Sequence, residues 1–238
     1  MNNGIDVSRW QGSINWNLVN TDFVIIQAGF GRDSSQKDIC FEENYKGCKA
    51  EDIPCGAYWY SYADSPEDAV REANACLEVL KGKKFEYPIY YDVEEQSVFN
   101  LGKAKVSAII RAFLEKLESA GYFVGIYMSA SHLNNYVEDD IKKRYAVWVA
   151  HYGVSKPTYS GNYGIWQKSS TGKVSGIGGY VDLNESYIDY PTVIKSAGLN
   201  GFPKPEKADE KAANPVQKTK EIEIKIDGET YTGTLIKK

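Results

Sequence analysis

Short apolar runs recur along most of the chain, rich in β-branched and aromatic residues and separated by stretches with helical spacing. Runs apolar on both faces read as strands of a parallel sheet covered by helices. The first is Gly4-Ile5-Asp6-Val7-Ser8, which ends in polar residues. Phe23-Val24-Ile25-Ile26-Gln27-Ala28-Gly29 is the second. Further strands are expected over residues 54–62, 88–96, 122–129, 145–152, 163–167 and 179–184.

The spacing between these runs predicts helices. Residues 15–19 suit a short helix and residues 37–50 a longer one. The clearest start is Ser65 as N-cap, Pro66 in the first position, then Glu67 and Asp68 in the first turn. Val70, Ala73, Leu77 and Leu80 fall on one stripe, closed by Gly82. Residues 103–120 carry the stripe Val106, Ile109, Ile110, Phe113, Leu114 and Leu117, stopped by Gly121. Residues 131–135 and 140–144 are weakly helical or loop, and a short helix over 192–197 closes the domain. Strands alternate with helical segments at first, and the later connections are poorer. The simplest architecture is α/β: a closed parallel (β/α) barrel, TIM-like, with abbreviated last helices.

That barrel domain is expected over residues 1–201. Residues 202–220 turn rich in Lys, Glu, Pro and Ala and lose periodicity, as a solvated linker does. In the tail, Ile222, Ile224 and Ile226 alternate with charges, Asp227-Gly228 is a turn signal, and residues 231–236 form a partner run. Residues 221–238 are therefore expected to be a β-hairpin. A lone hairpin with an apolar face needs cover, so homo-oligomers through this tail are expected.

Composition narrows the function classes. A net charge of −4 argues against nucleic-acid or anionic-membrane binding. No apolar run is long enough to span a bilayer. The first residues lack a basic region followed by an apolar one, so synthesis in the cytosol without a signal peptide is expected. Cys40, Cys48, Cys55 and Cys76 form no C-x-x-C pair and lie far in sequence from His132 and His151; zinc is not expected, and buried free thiols are. The glycines of Gly29-Phe30-Gly31 lack the context of a phosphate-binding fingerprint.

Candidate chemistry starts at Pro88-Ile89-Tyr90-Tyr91-Asp92-Val93-Glu94. On a strand, Asp92 and Glu94 share a face with Cα atoms about 6.6 Å apart. Two carboxylates that close push one pKa up and leave a proton donor beside an anion, as acid-assisted glycoside cleavage requires. Barrel active sites lie at the C-terminal strand ends. Collecting polar residues there gives Asp6, Gln27, Tyr60, Tyr62, Asp92, Glu94, Tyr127, Trp148, Tyr152, Gln167 and Asp182. Acids from separate strands converging on one mouth repel one another unless they are used.

An ordered set of motifs spans residues 4–201: Gly4-Ile5-Asp6-Val7-Ser8 with Gln11, Tyr91-Asp92-Val93-Glu94, Trp148-Val149-Ala150-His151-Tyr152, Ile165-Trp166-Gln167 and Val181-Asp182-Leu183-Asn184. In this set and order the chain resembles the family 25 glycoside hydrolases, the lysozyme-like muramidases of bacteria and phage endolysins. The resemblance implies a muramidase cutting the β-1,4 bond between N-acetylmuramic acid and N-acetylglucosamine in peptidoglycan. It makes Glu94 the general acid and Asp92, Asp6 and Asp182 supporting carboxylates. Gln27, Tyr60, Tyr62, Tyr127, Trp148, Tyr152 and Gln167 become substrate contacts. No cofactor or metal is implied. His151 stands where the family usually has a polar amide and reads as a rim or packing residue. A phage endolysin is the expected setting. The alternatives are a secreted autolysin, a chitinase-like hydrolase, a Mg²⁺ site held by the acids, and a non-catalytic glycan-binding barrel.

Overall fold

Eight strands close on themselves in chain order. They are β1 (Asn2–Val7), β2 (Phe23–Phe30), β3 (Cys55–Tyr60), β4 (Ile89–Asp92), β5 (Val124–Ser129), β6 (Ala146–Ala150), β7 (Ile165–Gly172) and β8 (Val181–Ser186). This computed structural model describes residues 1–204, 220–226 and 229–235. The chain divides into two compact units, and the first ends at Lys204.

The barrel is mixed, which corrects the all-parallel expectation. β1 to β7 run parallel. β8 runs antiparallel to both β7 and β1. A parallel crossover needs a dozen or more residues, and only residues 173–180 join β7 to β8. That length allows a reversal and nothing longer.

Alternation along each strand sorts the core. Phe23 and Ile25 share the barrel interior with Tyr90, Tyr127, Trp148 and Ile165. Val24, Ile26, Ile89, Tyr91, Ile126, Val147 and Val149 point outward under the helices. The interior is heavily aromatic: the Trp148 ring lies 5.2 Å from Tyr90 and 4.4 Å from Tyr127. The lower end is plugged by Tyr190, packed on Tyr87 and Phe123. Asn200 ties that end together, donating to the carbonyls of Phe85 and Tyr87 and accepting from the Phe123 N–H.

The outer layer holds α1 (Phe41–Ala50), α2 (Pro66–Leu80), α3 (Gln96–Phe99), α4 (Lys103–Ser119), α5 (Ala130–Tyr136) and α6 (Asp139–Arg144); α7 (Tyr190–Ala197) follows β8. The helix expected over 37–50 starts late, because Asp38 turns the chain by accepting from the Arg9 and Cys40 N–H groups. Every residue of the expected α4 stripe is buried. The α2 stripe is rotated from its expected position. Ala69, Ala73, Cys76 and Leu80 are buried together with Glu72, while Val70 and Leu77 are half-buried. α2 packs against α4, and its small residues suit a close approach between the two helices. Ser65 caps α2 as expected, its Oγ accepting from the Asp68 N–H at 3.2 Å. Ser65→Ala should cost about 1 kcal/mol, measured by denaturant unfolding with unchanged m-value.

In the second unit β9 (Lys220–Ile226) and β10 (Glu229–Leu235) pair antiparallel, with Ile226 opposite Glu229. The expected turn at Asp227-Gly228 and the bulk of the expected linker, residues 205–219, lie outside the described residues.

Candidate active site

The reversal of β8 decides where Asp182 sits. In a parallel barrel, a residue at the start of a strand lies at the bottom. Here Asp182 pairs with Asp6 near the upper end of β1, at the mouth formed by the C-terminal ends of β1 to β7.

Asp6 is the best-anchored acid. Its Oδ2 accepts from Gln167 Nε2 at 2.9 Å and from Asn184 Nδ2 at 2.7 Å. Gln167 is oriented in turn, because its Oε1 accepts from the Tyr127 hydroxyl at 2.7 Å and the Tyr152 hydroxyl at 2.5 Å. Asn184 Oδ1 accepts from the Trp148 indole N–H at 2.8 Å. A chain of donors thus runs from both sides of the barrel onto one carboxylate oxygen. Burial and the neighbouring Asp182 outweigh these bonds and push the Asp6 carboxyl up to about 8.

Asp92 ends β4 and points into the barrel, 4% exposed. Its Oδ1 is buried with no hydrogen-bond partner. Burial, then Glu94, then Asp6 hold this carboxyl well above the usual range. Glu94 differs from the expectation that it shares the strand. β4 stops at Asp92, although the Val93 N–H still donates to the Tyr127 carbonyl at 3.4 Å. Glu94 lies in the following loop and reaches solvent. Its pKa is raised by partial burial in the mouth, then by Asp182 and Glu95. The Asp92–Glu94 repulsion adds to burial in raising Asp92, the deeper group. Asp182 is raised to about 6 by burial. The result is a solvent-reachable acid above buried carboxyls that resist ionising.

The expected contacts separate into layers. Tyr62 and Tyr152 are exposed on the rim, and Tyr60 donates to Glu95 Oε1 at 2.8 Å. Gln27, Tyr127 and Gln167 are buried beneath them. Trp148 is 1% exposed and enclosed by tyrosines. It is a floor residue, which corrects its expected place as a substrate contact: at mid-strand it faces the packed interior below the mouth. His151 accepts from the Thr158 N–H through Nδ1 at 3.1 Å and serves its own loop.

The sequence reading gave no role to Asn184, although it stands in the Val181-Asp182-Leu183-Asn184 motif, and none to Glu95. Asn184 was legible, since it lies two residues from Asp182 and so shares its face. Glu95 had no signal beyond adjacency to Glu94. All four cysteines are free thiols, and Cys48, Cys55 and Cys76 are buried. Among the described residues, no three His, Cys, Asp or Glu side chains are grouped to hold a metal ion, and no helix is long and apolar enough to cross a membrane.

Residues 5–177 match the family model described as glycosyl hydrolases family 25. The autolytic lysozyme of Clostridium acetobutylicum is 31% identical over 190 residues, covering 76% of this chain and 55% of its own length. The chain therefore spans about half of that relative. The CTP1L endolysin superposes with a TM-score of 0.73 at 26% identity, covering 82% of this chain and 70% of that one. The modular autolysin LytC of Streptococcus pneumoniae, solved with a synthetic peptidoglycan ligand, gives a TM-score of 0.67 at 32% identity, covering 77% and 46%.

Proposed function

The chain belongs to glycosyl hydrolases family 25, and from that premise we propose that it is an N-acetylmuramidase cutting peptidoglycan between N-acetylmuramic acid and N-acetylglucosamine. The observation that carries this reading is the pairing of a solvent-reachable Glu94 of raised pKa with a buried Asp92 that has an unpartnered oxygen. Glu94 gives its proton to the glycosidic oxygen as the C1–O bond breaks. Asp92 Oδ1 accepts the N–H of the sugar's own acetamido group and turns its carbonyl oxygen toward C1. That oxygen bonds to C1 as the leaving sugar departs. Water then attacks C1 and the bond from C1 to the acetamido oxygen breaks, which restores the acetamido group; the water's proton goes to the Glu94 carboxylate and restores the acid. Asp6 and Asp182 hold the electrostatic setting, and Tyr60, Tyr62 and Tyr152 contact sugar at the rim.

The test is wall digestion with analysis of the new reducing ends. N-acetylmuramic acid is expected there; N-acetylglucosamine ends, or activity on chitin alone, would overturn the reading. Because Glu94 must carry its proton, activity should peak on the acidic side of neutral and decline as Glu94 ionises. A profile still rising beyond about pH 8 contradicts this assignment.

The biological setting we propose is a phage endolysin, on the likeness to the CTP1L endolysin. The likeness to the autolytic lysozyme favours a bacterial autolysin instead. Whether the protein reaches the wall during ordinary growth, or only after membrane permeabilisation, separates the two. We further propose self-association through the β9–β10 hairpin, since a two-stranded sheet with an apolar face is marginal in water. Light scattering of the full chain beside a chain ending at Lys204 tests it, and monomers in both refute it.

A further inference from the structure

One flank of the mouth carries a ridge that the cleavage chemistry does not use. Trp10 is 78% exposed, which is unusual for so large an apolar side chain on a soluble domain. It does not hang on a loose loop. Ser8 Oγ accepts from the Trp10 N–H, Gln11 Oε1 accepts from the Ser8 N–H, and Asp38 accepts from the Arg9 N–H. The turn after β1 is therefore fixed, with Arg9 and Trp10 held outward.

Arg9 lies with its guanidinium 5.2 Å from the Trp10 ring and 5.5 Å from the Phe30 ring. The row continues from Phe30 to Tyr62 at 6.1 Å, and from Tyr62 to Tyr60 at 5.1 Å. It follows the upper ends of β1, β2 and β3 toward the catalytic carboxyls. Arg32, Arg71, Arg111 and Arg144 each pair with a carboxylate. Arg9 has no ion pair among the described residues, yet it stands at the rim of an acidic mouth. An exposed planar cation braced by aromatic faces suits a carboxylate, which it binds through paired N–H donors. N-acetylmuramic acid without its peptide offers only the lactyl carboxylate held against the ring, and an N-acetylglucosamine chain offers no such group. The stem peptides on N-acetylmuramic acid do, and the mouth's own acids would otherwise repel them.

We propose that the Trp10–Arg9–Phe30–Tyr62 ridge is a binding site for the carboxylate-bearing stem peptide of peptidoglycan, with Arg9 taking the carboxylate. The site makes the enzyme prefer glycan that still carries its peptides. This rests on the muramidase reading.

The test uses the full chain with Glu94→Gln, so that ligand stays uncleaved, and calorimetric titration with glycan oligomers that carry the peptide or, as the peptide-free ligand, have each lactyl group masked as its neutral amide. The peptide-bearing ligand should bind about tenfold tighter at low salt, and the gap should narrow as salt is raised. Arg9→Gln should erase the gap and leave the peptide-free ligand unchanged; the side chain is exposed, so the fold is not at stake. Equal affinity for both ligands, or equal weakening of both by Arg9→Gln, overturns the site while the wall-digestion result stands. If neither ligand binds and the wild-type chain digests no wall, the muramidase reading fails and takes the site with it.

Discussion

Replacing Glu94 by glutamine should abolish wall hydrolysis while leaving the fold and glycan binding intact. Glu94 lies beyond the end of β4 and reaches solvent, so the change removes no buried packing. It removes the proton that the leaving oxygen needs. General acid catalysis is worth about 10²–10⁴-fold, and little remains to replace it. The other carboxyls of the cluster sit deeper in the mouth. Asp6 is tied down by Gln167 and Asn184, and Asp92 is enclosed. Release of reducing ends from purified walls measures the loss, and a melting curve run in parallel checks the fold. Near-normal hydrolysis by a folded Glu94→Gln protein would sink the assignment of the acid.

The legible and illegible parts of this molecule differ for physical reasons. The α4 stripe was legible because six apolar residues at helical spacing can be buried in only one way. The barrel was legible because its strands are apolar on both faces. The direction of β8 was not, since alternation gives a strand's faces and says nothing of its sense; only the shortness of residues 173–180 hints at the reversal. The α2 stripe misled because Ala and Cys carry less hydrophobic signal than Val and Leu, although small side chains are what the contact with α4 takes. The acids of the site were visible as residues. Their depth was not, because Asp92 and Glu94 read as equivalent until the strand is seen to stop between them. Trp148 misled in the same way: a strand sequence does not mark where the floor ends and the mouth begins.

That difference in depth has a consequence for stability. Asp92→Asn should lower activity about 10²-fold or more, because the positive charge that grows on the bound sugar's acetamido group draws the Asp92 carboxyl into its anionic form, which asparagine cannot adopt. It should also raise the melting temperature at neutral and alkaline pH. In the folded protein the Asp92 carboxyl titrates well above its ordinary 3.8, because burial disfavours its charge. A raised folded pKa means that the native state binds the proton more tightly than the unfolded chain does. The stability this gives is complete below the unfolded pKa and is lost as pH climbs through the folded one. Asparagine is neutral throughout and escapes that loss. The gain of the variant over wild type should therefore be smallest near the ordinary carboxylate pKa and grow steadily toward alkaline pH. Asp6, raised to about 8, titrates in the same direction and remains in both proteins. The comparison between them consequently isolates Asp92, apart from its repulsion with Asp6 and Glu94. Thermal melts of both proteins across that pH range provide the measurement. A variant whose stability relative to wild type is flat with pH, or falls as pH rises, would show that Asp92 is ionised at little cost in the folded barrel, and the unpartnered oxygen would then need a different account.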